Sequence, residues 1–152
     1  MGVRLQREGF DVGAELAALT RGRTDIGAVV TFSGLCRDSV GDERIVAMTL
    51  DHYPAMAQAE LERIEAEAST RWPILASTII HRYGRLEPGD EIVLVIAASS
   101  HRAAAFEAAS FMMDFLKTRA PFWKLEETAR GGAEWVSAKD EDDRATERWR
   151  KP

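Results

Sequence analysis

The residues that could do chemistry lie at the two ends of one apolar segment, His101–Lys124. His101 and Arg102 begin it, directly after an apolar run that is typical of a strand. Lys117 and Lys124 lie near its other end, on either side of a turn made of proline and two aromatic residues. A helix that only packs normally carries its charges along one solvated stripe. This placement instead predicts a site that handles an anion.

The two lysines are candidates for an acid, a base or a nucleophile. Lys117 lies three residues after Asp114, so the simpler interpretation is an ion pair on a solvated helix face. Its other neighbours are apolar, and such surroundings favour the uncharged amine that a base or nucleophile needs. Lys124 lies two residues after Phe122, which places both side chains on one strand face. We expect the lysine pair to be functional.

His101 and Arg102 occupy the predicted first turn of a helix. Positive charge there opposes the helix dipole, so Arg102 needs a compensating partner. A bound phosphate or carboxylate would be one, because the free backbone N–H groups point at the same place. The alternatives are a plain capping role for His101 and a partner subunit's carboxylate for Arg102.

Arg37 is a further candidate for binding an anion. It follows a predicted strand in which Gly34 allows a ligand or another backbone to approach closely. Its neighbour Cys36 could be a reactive thiol, because an adjacent arginine lowers the pKa of a cysteine. Strand alternation places the two side chains on opposite faces, however, and buried free cysteines are common. We therefore predict that Cys36 belongs to the core.

Composition excludes several classes of protein. At 152 residues and 45% hydrophobic, the chain is expected to form one domain over residues 1–152. The net charge of -5 argues against a nucleic-acid binder. No apolar run is long enough to cross a membrane, and a signal-peptide pattern is absent. One cysteine and three histidines, without metal-ligand spacing, predict neither a disulfide nor a metal and indicate a reducing, cytoplasmic location.

The periodicity of apolar residues changes repeatedly between that of strands and that of helices. The predicted strands are Val3–Gln6, Gly27–Leu35, Arg44–His52, Ile74–Leu86, Glu91–Ser99, Phe122–Thr128 and Glu134–Ala138. The predicted helices are a segment capped by Asp11 and ending at Leu19, Pro54–Trp72 with Met56, Ala59, Ile64 and Ala68 inward, residues 101–119, and a loosely attached tail over 140–152.

The order of these elements predicts the fold class. Gly27–Leu35 is expected to be a buried strand that forms a hairpin with Arg44–His52 around an exposed loop, Arg37–Glu43. A turn of type II is expected at Glu87–Asp90, because it has the Pro-Gly order. Hairpins with helices between some of them indicate an α+β domain with antiparallel strands and about three main helices.

Several motifs resemble those of a known family. They are Phe32–Arg37 (FSGLCR), Leu50–Met56 (LDHYPAM), Ile80–Gly84 (IHRYG), Pro88–Asp90 (PGD) and the whole of His101–Lys124. In order and spacing, the sequence from about Gly27 to Trp149 is similar to the large, catalytic subunit of molybdopterin synthase. The resemblance implies an α/β-hammerhead-like fold and a sulfurtransferase of molybdenum cofactor biosynthesis that needs no cofactor of its own.

The resemblance also implies a substrate and partners. Such an enzyme adds two sulfurs to cyclic pyranopterin monophosphate and so makes the dithiolene of molybdopterin. The sulfur arrives as a thiocarboxylate on the C-terminal Gly-Gly of a small ubiquitin-like subunit. Two large subunits form a central homodimer with one small subunit at each end, which makes a heterotetramer.

The site residues implied by the resemblance agree with those found from the residues alone. Lys117 and Lys124 match the two essential lysines of the family, and Arg37, His101 and Arg102 match its anion pocket. Lys139 replaces a family arginine, which keeps the charge but loses the bidentate geometry of a guanidinium.

Two other classes of function, a non-catalytic sensor and a different transfer enzyme, compete with this one. A non-catalytic homodimeric sensor could bind a phosphorylated metabolite through an Arg37, His101 and Arg102 cluster. An acyl- or phosphoryl-transfer enzyme ranks lower, because the sequence shows no glycine-rich loop or pair of nucleophile and base.

Helix geometry adds a prediction about assembly. His101 and Lys117 are sixteen residues apart, or roughly 24 Å along a continuous helix. One small substrate cannot contact both ends. We therefore predict a composite site in which His101 and Arg102 of one protomer meet Lys117 and Lys124 of its partner.

Overall fold

The computed structural model describes residues 2–119, 121–136 and 140–150. The strands are β1 Gly2–Gln6, β2 Ala28–Leu35, β3 Ser39–Val40, β4 Glu43–His52, β5 Ile74–Arg82, β6 Gly84–Leu86, β7 Glu91–Ser99, β8 Phe122–Thr128 and β9 Ala133–Val136. The helices are α1 Val12–Thr20, α2 Pro54–Arg71, α3 Arg102–Thr118 and α4 Asp140–Glu147. The predicted α+β class is confirmed, with α1, α2 and α3 as the three main helices before the tail.

The first sheet has the strand order β1-β5-β7-β2 and is covered on both faces. β1 runs parallel to β5, and the other neighbours are antiparallel. α2 and α3 pack on one face and form a core that includes Leu61, Ile64, Ile79, Val95, Phe111 and Met112. On the other face, Ile80, Leu94 and Ile96 pack against Phe10, Val12 and Leu19. Burial of each such side chain contributes about 1.5–3 kcal/mol to folding.

The second sheet is joined to the first through a bend at Gly84. The segment predicted as one strand, Ile74–Leu86, is two strands, because Gly84 has a φ of 92° that favours glycine. β5 therefore stays in the first sheet while β6 pairs with β4. The second sheet continues as β3-β4-β8-β9. Cys36 is buried against it with Met48, Leu50 and Leu86, as predicted for a core residue.

The predicted pairing of β2 with β4 is wrong. β2 pairs with β7 along its whole length, and β4 pairs instead with β3, β6 and β8. The loop Arg37–Glu43 contains the short strand β3, so the local hairpin is β3–β4 and β2 can leave for the other sheet. The predicted burial of β2 is also wrong for a single chain, because it is an edge strand with Phe32 41% and Leu35 54% exposed.

The helix boundaries follow the predicted signals. The Asp11 side chain accepts a hydrogen bond from the Ala14 N–H at 3.0 Å and caps α1. Pro54 begins α2, where its missing N–H costs no hydrogen bond. The predicted inward face of α2 is partly wrong, since Met56 is 59% exposed and Ala59 is exposed as well. The buried stripe is Ala57, Leu61, Ile64, Glu65 and Ala68.

The predicted turn of type II is confirmed at Glu87–Asp90. Gly89 has a φ of 91°, and the Asp90 N–H donates to the Glu87 carbonyl at 2.9 Å. In the tail, the Trp149 ring packs 5.4 Å from Trp72 and 5.6 Å from Phe111. The single domain over 1–152 and the loose attachment of 140–152 stay predictions.

Candidate active site

α3 holds the predicted cations apart. β7 ends at Ser99, and the chain then turns at His101 into α3, which runs back along the sheet for 17 residues without a break. At about 1.5 Å per residue this helix is roughly 25 Å long. His101 and Arg102 therefore lie at one end of the sheet, and Lys117 lies at the other.

Arg37 lies at the same end of the sheet as Lys117. β2 begins opposite Ser99, close to His101, and ends opposite Glu91, close to Arg37. Seven steps of about 3.3 Å along the strand separate these ends by roughly 23 Å. The predicted cluster of Arg37 with His101 and Arg102 is therefore not formed within one chain, because β2 holds its members apart.

Lys117 and Asp114 do not form the ion pair that was the simpler interpretation of Lys117. The Asp114 carboxylate instead accepts hydrogen bonds from the Arg148 guanidinium at 2.8 and 3.1 Å. It also accepts one from the Trp149 indole N–H at 2.6 Å. Among the described residues, Lys117 has no salt-bridge partner. Its side chain is exposed, so one chain alone does not supply the apolar surroundings predicted for it.

Four aromatic rings form a stack where the two sheets adjoin. The His81 and Phe122 rings lie 3.9 Å apart and 15° from parallel. The His52 ring lies 5.7 Å from Phe122 and 4.4 Å from Tyr83. This stack joins β4, β5 and β8, so it connects the first sheet to the second. The charge of Lys117, on α3, is one of those that lower the pKa of the His81 ring.

Burial keeps His81 uncharged. The pKa of its ring falls from 6.5 to about 4 because the ring is desolvated, with smaller contributions from the charges of His52 and Lys117. The His81 Nδ1 atom lies 2.8 Å from the Arg82 carbonyl oxygen. A carbonyl only accepts, so Nδ1 carries the proton and Nε2 is an acceptor.

Lys124 lies on the same face of β8 as Phe122 and Glu126, as strand alternation predicted. Its register partners are Leu50 in β4 and Val136 in β9. Its side chain is partly buried, and Glu126 is buried. The second sheet therefore presents Lys124 and Glu126 towards the interior, on the same face as Phe122 of the aromatic stack.

The Cys36 thiol has no features of a nucleophile. Burial raises its pKa, and the negative charges of Asp90 and Glu126 raise it further, while Lys124 lowers it. A raised pKa keeps the sulfur protonated near neutral pH. Cys36 therefore belongs to the core of the second sheet.

Two of the cavities formed by the described residues are lined by neither Lys117 nor Lys124. One, of about 450 Å³, is lined by Asp51, His52, Tyr53, Trp123 and Trp135. The other, of about 280 Å³, lies between α2, α3 and α4 and includes Arg71, Arg119 and Trp149.

The remaining predictions concern Lys139, a bound metal ion and a membrane-spanning segment. Lys139 lies outside the described residues. Within the described ranges, no group of three or more His, Cys, Asp or Glu side chains is placed to hold a metal ion. None of the described helices combines the length and apolar character that a membrane crossing requires.

The sequence motifs did not predict the aromatic stack or the buried acid Glu126. A usable signal exists for His81, because it follows the apolar run Ile79-Ile80 in a strand and alternates onto the face of Ile79. The partners of His81 come from β4 and β8, however, and their approach depends on the bend at Gly84. Periodicity along one strand does not reveal such contacts.

The depressed pKa of His81 predicts how stability depends on pH. The folded value of about 4 lies below 6.5, so the unfolded chain takes up the proton first as the pH falls. The His81 contribution is complete above pH 6.5 and is lost between 6.5 and 4, by up to about 3 kcal/mol. Urea unfolding of wild type and His81→Phe across this range measures it. Parallel curves for the two proteins would contradict the assignment.

Comparison with known proteins supports one family. The sequence model of the family described as "MoaE protein" matches residues 5–119. A relative from Rhizobium meliloti, named molybdopterin synthase catalytic subunit, is 62% identical over 148 residues, which cover 97% of this chain and 94% of the relative. A relative of the same name from Mesorhizobium japonicum is 59% identical over 149 residues, covering 97% and 92%.

Solved structures agree with the sequence relatives. The molybdopterin biosynthesis MoaE protein from Burkholderia ambifaria superposes with a TM-score of 0.83 at 47% identity, covering 97% of both chains. Molybdopterin synthase from Staphylococcus aureus gives a TM-score of 0.80 at 27% identity, covering 88% of this chain and 95% of that chain. On the match of the family model and the identity of these relatives, the chain belongs to the MoaE family.

Proposed function

We propose that the chain acts as the catalytic subunit of a molybdopterin synthase. It transfers sulfur from the C-terminal thiocarboxylate of a small ubiquitin-like subunit to cyclic pyranopterin monophosphate, and so forms the dithiolene of molybdopterin. Relatives that are 59% and 62% identical over nearly the whole chain carry this name. The observation that supports the proposal most is that Lys117, in the last turn of α3, and Arg37 lie at the same end of the first sheet, while Lys124 lies on the strand that follows α3.

The chemistry of the site suits this reaction. A donor that brings its own sulfur removes the need for a thiol of the chain, in agreement with the protonated, buried Cys36. Replacement of oxygen by sulfur on the pterin side chain needs proton transfers and the stabilisation of a charged tetrahedral intermediate. A lysine amine can supply both. Because the chain has a net charge of -5, a phosphate-bearing substrate must be met by a local group of cations.

Each predicted site residue has a role in this proposal. Lys117 is the main acid–base or nucleophilic group, and Lys124 acts beside it and contacts the pterin or phosphate together with Arg37. His101 and Arg102 bind an anion at the beginning of α3, where free N–H groups add to their charge. Lys139 is a further cation of the same pocket.

The separation of the cations favours a homodimer. Within one chain α3 holds Arg102 and Lys117 apart, and a two-fold interface brings one end of a protomer to the other end of its partner. Exposed apolar residues are available for such an interface: Phe106 is 62% exposed on α3, and Phe32 and Leu35 are exposed on the edge strand β2. Contact there would also remove Lys117 from water.

The assembly follows from the dimer. One small sulfur-carrier subunit at each end of the homodimer completes a heterotetramer, with its Gly-Gly tail reaching the lysines. A structure from Helicobacter pylori is described as a complex of subunits 1 and 2 of molybdopterin-converting factor. The cytoplasm is the proposed location, because a free cysteine suits a reducing compartment.

A non-catalytic sensor is the competing proposal. It would need Arg37, His101 and Arg102 in one pocket, and the structure gives no single-chain pocket of this kind. It would also not depend on the protonation state of Lys117. A rate of sulfur transfer that varies with pH therefore separates the enzyme from the sensor.

Replacement of Lys117 tests the catalytic role. Lys117→Ala should fold and bind the small subunit, because the side chain is exposed in the chain, but it should lose at least about 100-fold in the rate of sulfur transfer. The measurement uses a thiocarboxylated partner and single-turnover conditions. Arg63→Ala, which removes a cation from α2, is the matched control and should keep its rate. Near wild-type turnover in Lys117→Ala would refute the role.

Mixed dimers test the composite site. An Arg102→Ala chain and a Lys117→Ala chain are each expected to be inactive alone. Their heterodimer keeps one intact site of two and should recover roughly half of the wild-type activity. Activity of purified heterodimers that stays at the level of the parents, or a monomer at working concentration, would refute the sharing of sites.

A further inference from the structure

We propose that Arg148 and Trp149, which follow α4 in the tail, are positioning residues for Lys117. They occupy the Asp114 carboxylate, which would otherwise pair with the Lys117 amine in the next turn of α3. The meaning of this contact for catalysis rests on the proposed function, whereas the contact itself does not. None of the site residues predicted from the sequence belongs to the tail over 140–152.

The tail draws the Asp114 carboxylate towards one side. A single oxygen, Oδ2, accepts hydrogen bonds from the Arg148 Nε and Nη2 atoms at 3.1 and 2.8 Å and from the Trp149 Nε1 atom at 2.6 Å. Arg148 also donates to the Ser110 hydroxyl, one turn before Asp114. The carboxylate is therefore held towards the preceding turn of α3, away from Lys117 in the following turn. The Asp114 side chain is only 17% exposed, so salt screens this ion pair little.

The tail is held by contacts that do not involve Lys117. The Trp149 ring packs edge-to-face on Trp72, with ring centroids 5.4 Å apart, and on Phe111, with centroids 5.6 Å apart. Arg71 of α2 donates a hydrogen bond to the Trp149 carbonyl at 2.6 Å. The Arg148 guanidinium lies over the Trp149 ring, 4.6 Å from its centroid. The helices α2 and α3 thus fix the place from which the tail reaches Asp114.

Release of Asp114 would return the carboxylate to Lys117. Side chains three residues apart on a helix are neighbours, and opposite charges at this spacing attract. Within the described residues Lys117 has no salt-bridge partner, while Asp114 pairs with Arg148. An amine in an ion pair keeps its proton, whereas a base or nucleophile needs a free lone pair. By occupying Asp114, the tail keeps the Lys117 amine available for the reaction.

A second-site rescue tests the proposal. Arg148→Ala should lower the rate of sulfur transfer by about two- to tenfold, between the effect of a surface helical ion pair and that of a hydrogen bond to a charged group. Addition of Asp114→Asn should restore most of the rate, because an amide carries no charge to hold Lys117. An undiminished rate in Arg148→Ala, or no recovery in the double variant, would overturn the proposal.

Two controls separate this effect from loss of the fold. Arg148→Ala and Arg148→Ala/Asp114→Asn both lack the ion pair between the tail and α3, so their melting temperatures should be alike. A difference in rate between them then cannot come from stability. Arg150→Ala removes a tail arginine that pairs with Glu147 inside the tail, and it should keep the wild-type rate. An equal loss in Arg150→Ala and Arg148→Ala would refute a specific role of Arg148.

A crosslink makes the proposal independent of activity. A water-soluble carbodiimide joins a carboxylate to an amine in contact with it, forming an amide while the reagent takes up the water that is lost. We expect no amide between Asp114 and Lys117 in the wild type and a clear one in Arg148→Ala. Mass spectrometry detects it as a tryptic peptide that is not cleaved after Lys117.

The outcomes of the crosslink are decisive for the contact. An amide between Asp114 and Lys117 in the wild type, or none in Arg148→Ala, would overturn the proposal. Arg148→Ala/Asp114→Asn supplies the blank, because it has no carboxylate at position 114. Failure of sulfur transfer in the wild type alongside the expected crosslinks refutes only the proposed function.

Discussion

A single unbroken helix sets the distance between the two groups of cations, and the rest of the site depends on it. α3 has neither Gly nor Pro between Arg102 and Thr118, and its buried alanines let it lie close to the first sheet. It is therefore a stiff spacer of roughly 25 Å. A substrate with one phosphate cannot span it, and for this reason the proposed site takes its remaining cations from a second chain.

The second constraint is the bend that joins the two sheets. Gly84 lets the chain leave the first sheet, and the second sheet then carries β8 across the end of α3. His81 and Phe122 meet where the sheets adjoin, which fixes β8 against β5. The placement of Lys124 relative to Lys117 thus depends on contacts between elements that are far apart in sequence. The same contacts desolvate the His81 ring and lower its pKa to about 4.

The sequence allows the elements to be predicted better than their partners. The cap at Asp11, the start at Pro54 and the length of α3 depend on local backbone chemistry, and the structure confirms all three. The pairing of β2 was predicted wrongly, because pairing depends on which distant strand buries the same face. Lys117 and Lys124 could be proposed from the sequence because they lie at the end of an apolar segment. The stacking of His81 on Phe122 could not, because Phe122 belongs to a distant strand.

Proximity across two protomers tests the account most directly. Cys36 is buried, so cysteines introduced by Arg102→Cys and Lys117→Cys can be labelled selectively. When the two single-variant chains are mixed with a short bis-maleimide, the account predicts a covalent dimer that joins position 102 of one chain to position 117 of the other. A chain that carries both changes should form no internal crosslink, because α3 keeps the positions roughly 22 Å apart. An internal crosslink, or no covalent dimer from the mixture, would contradict the account.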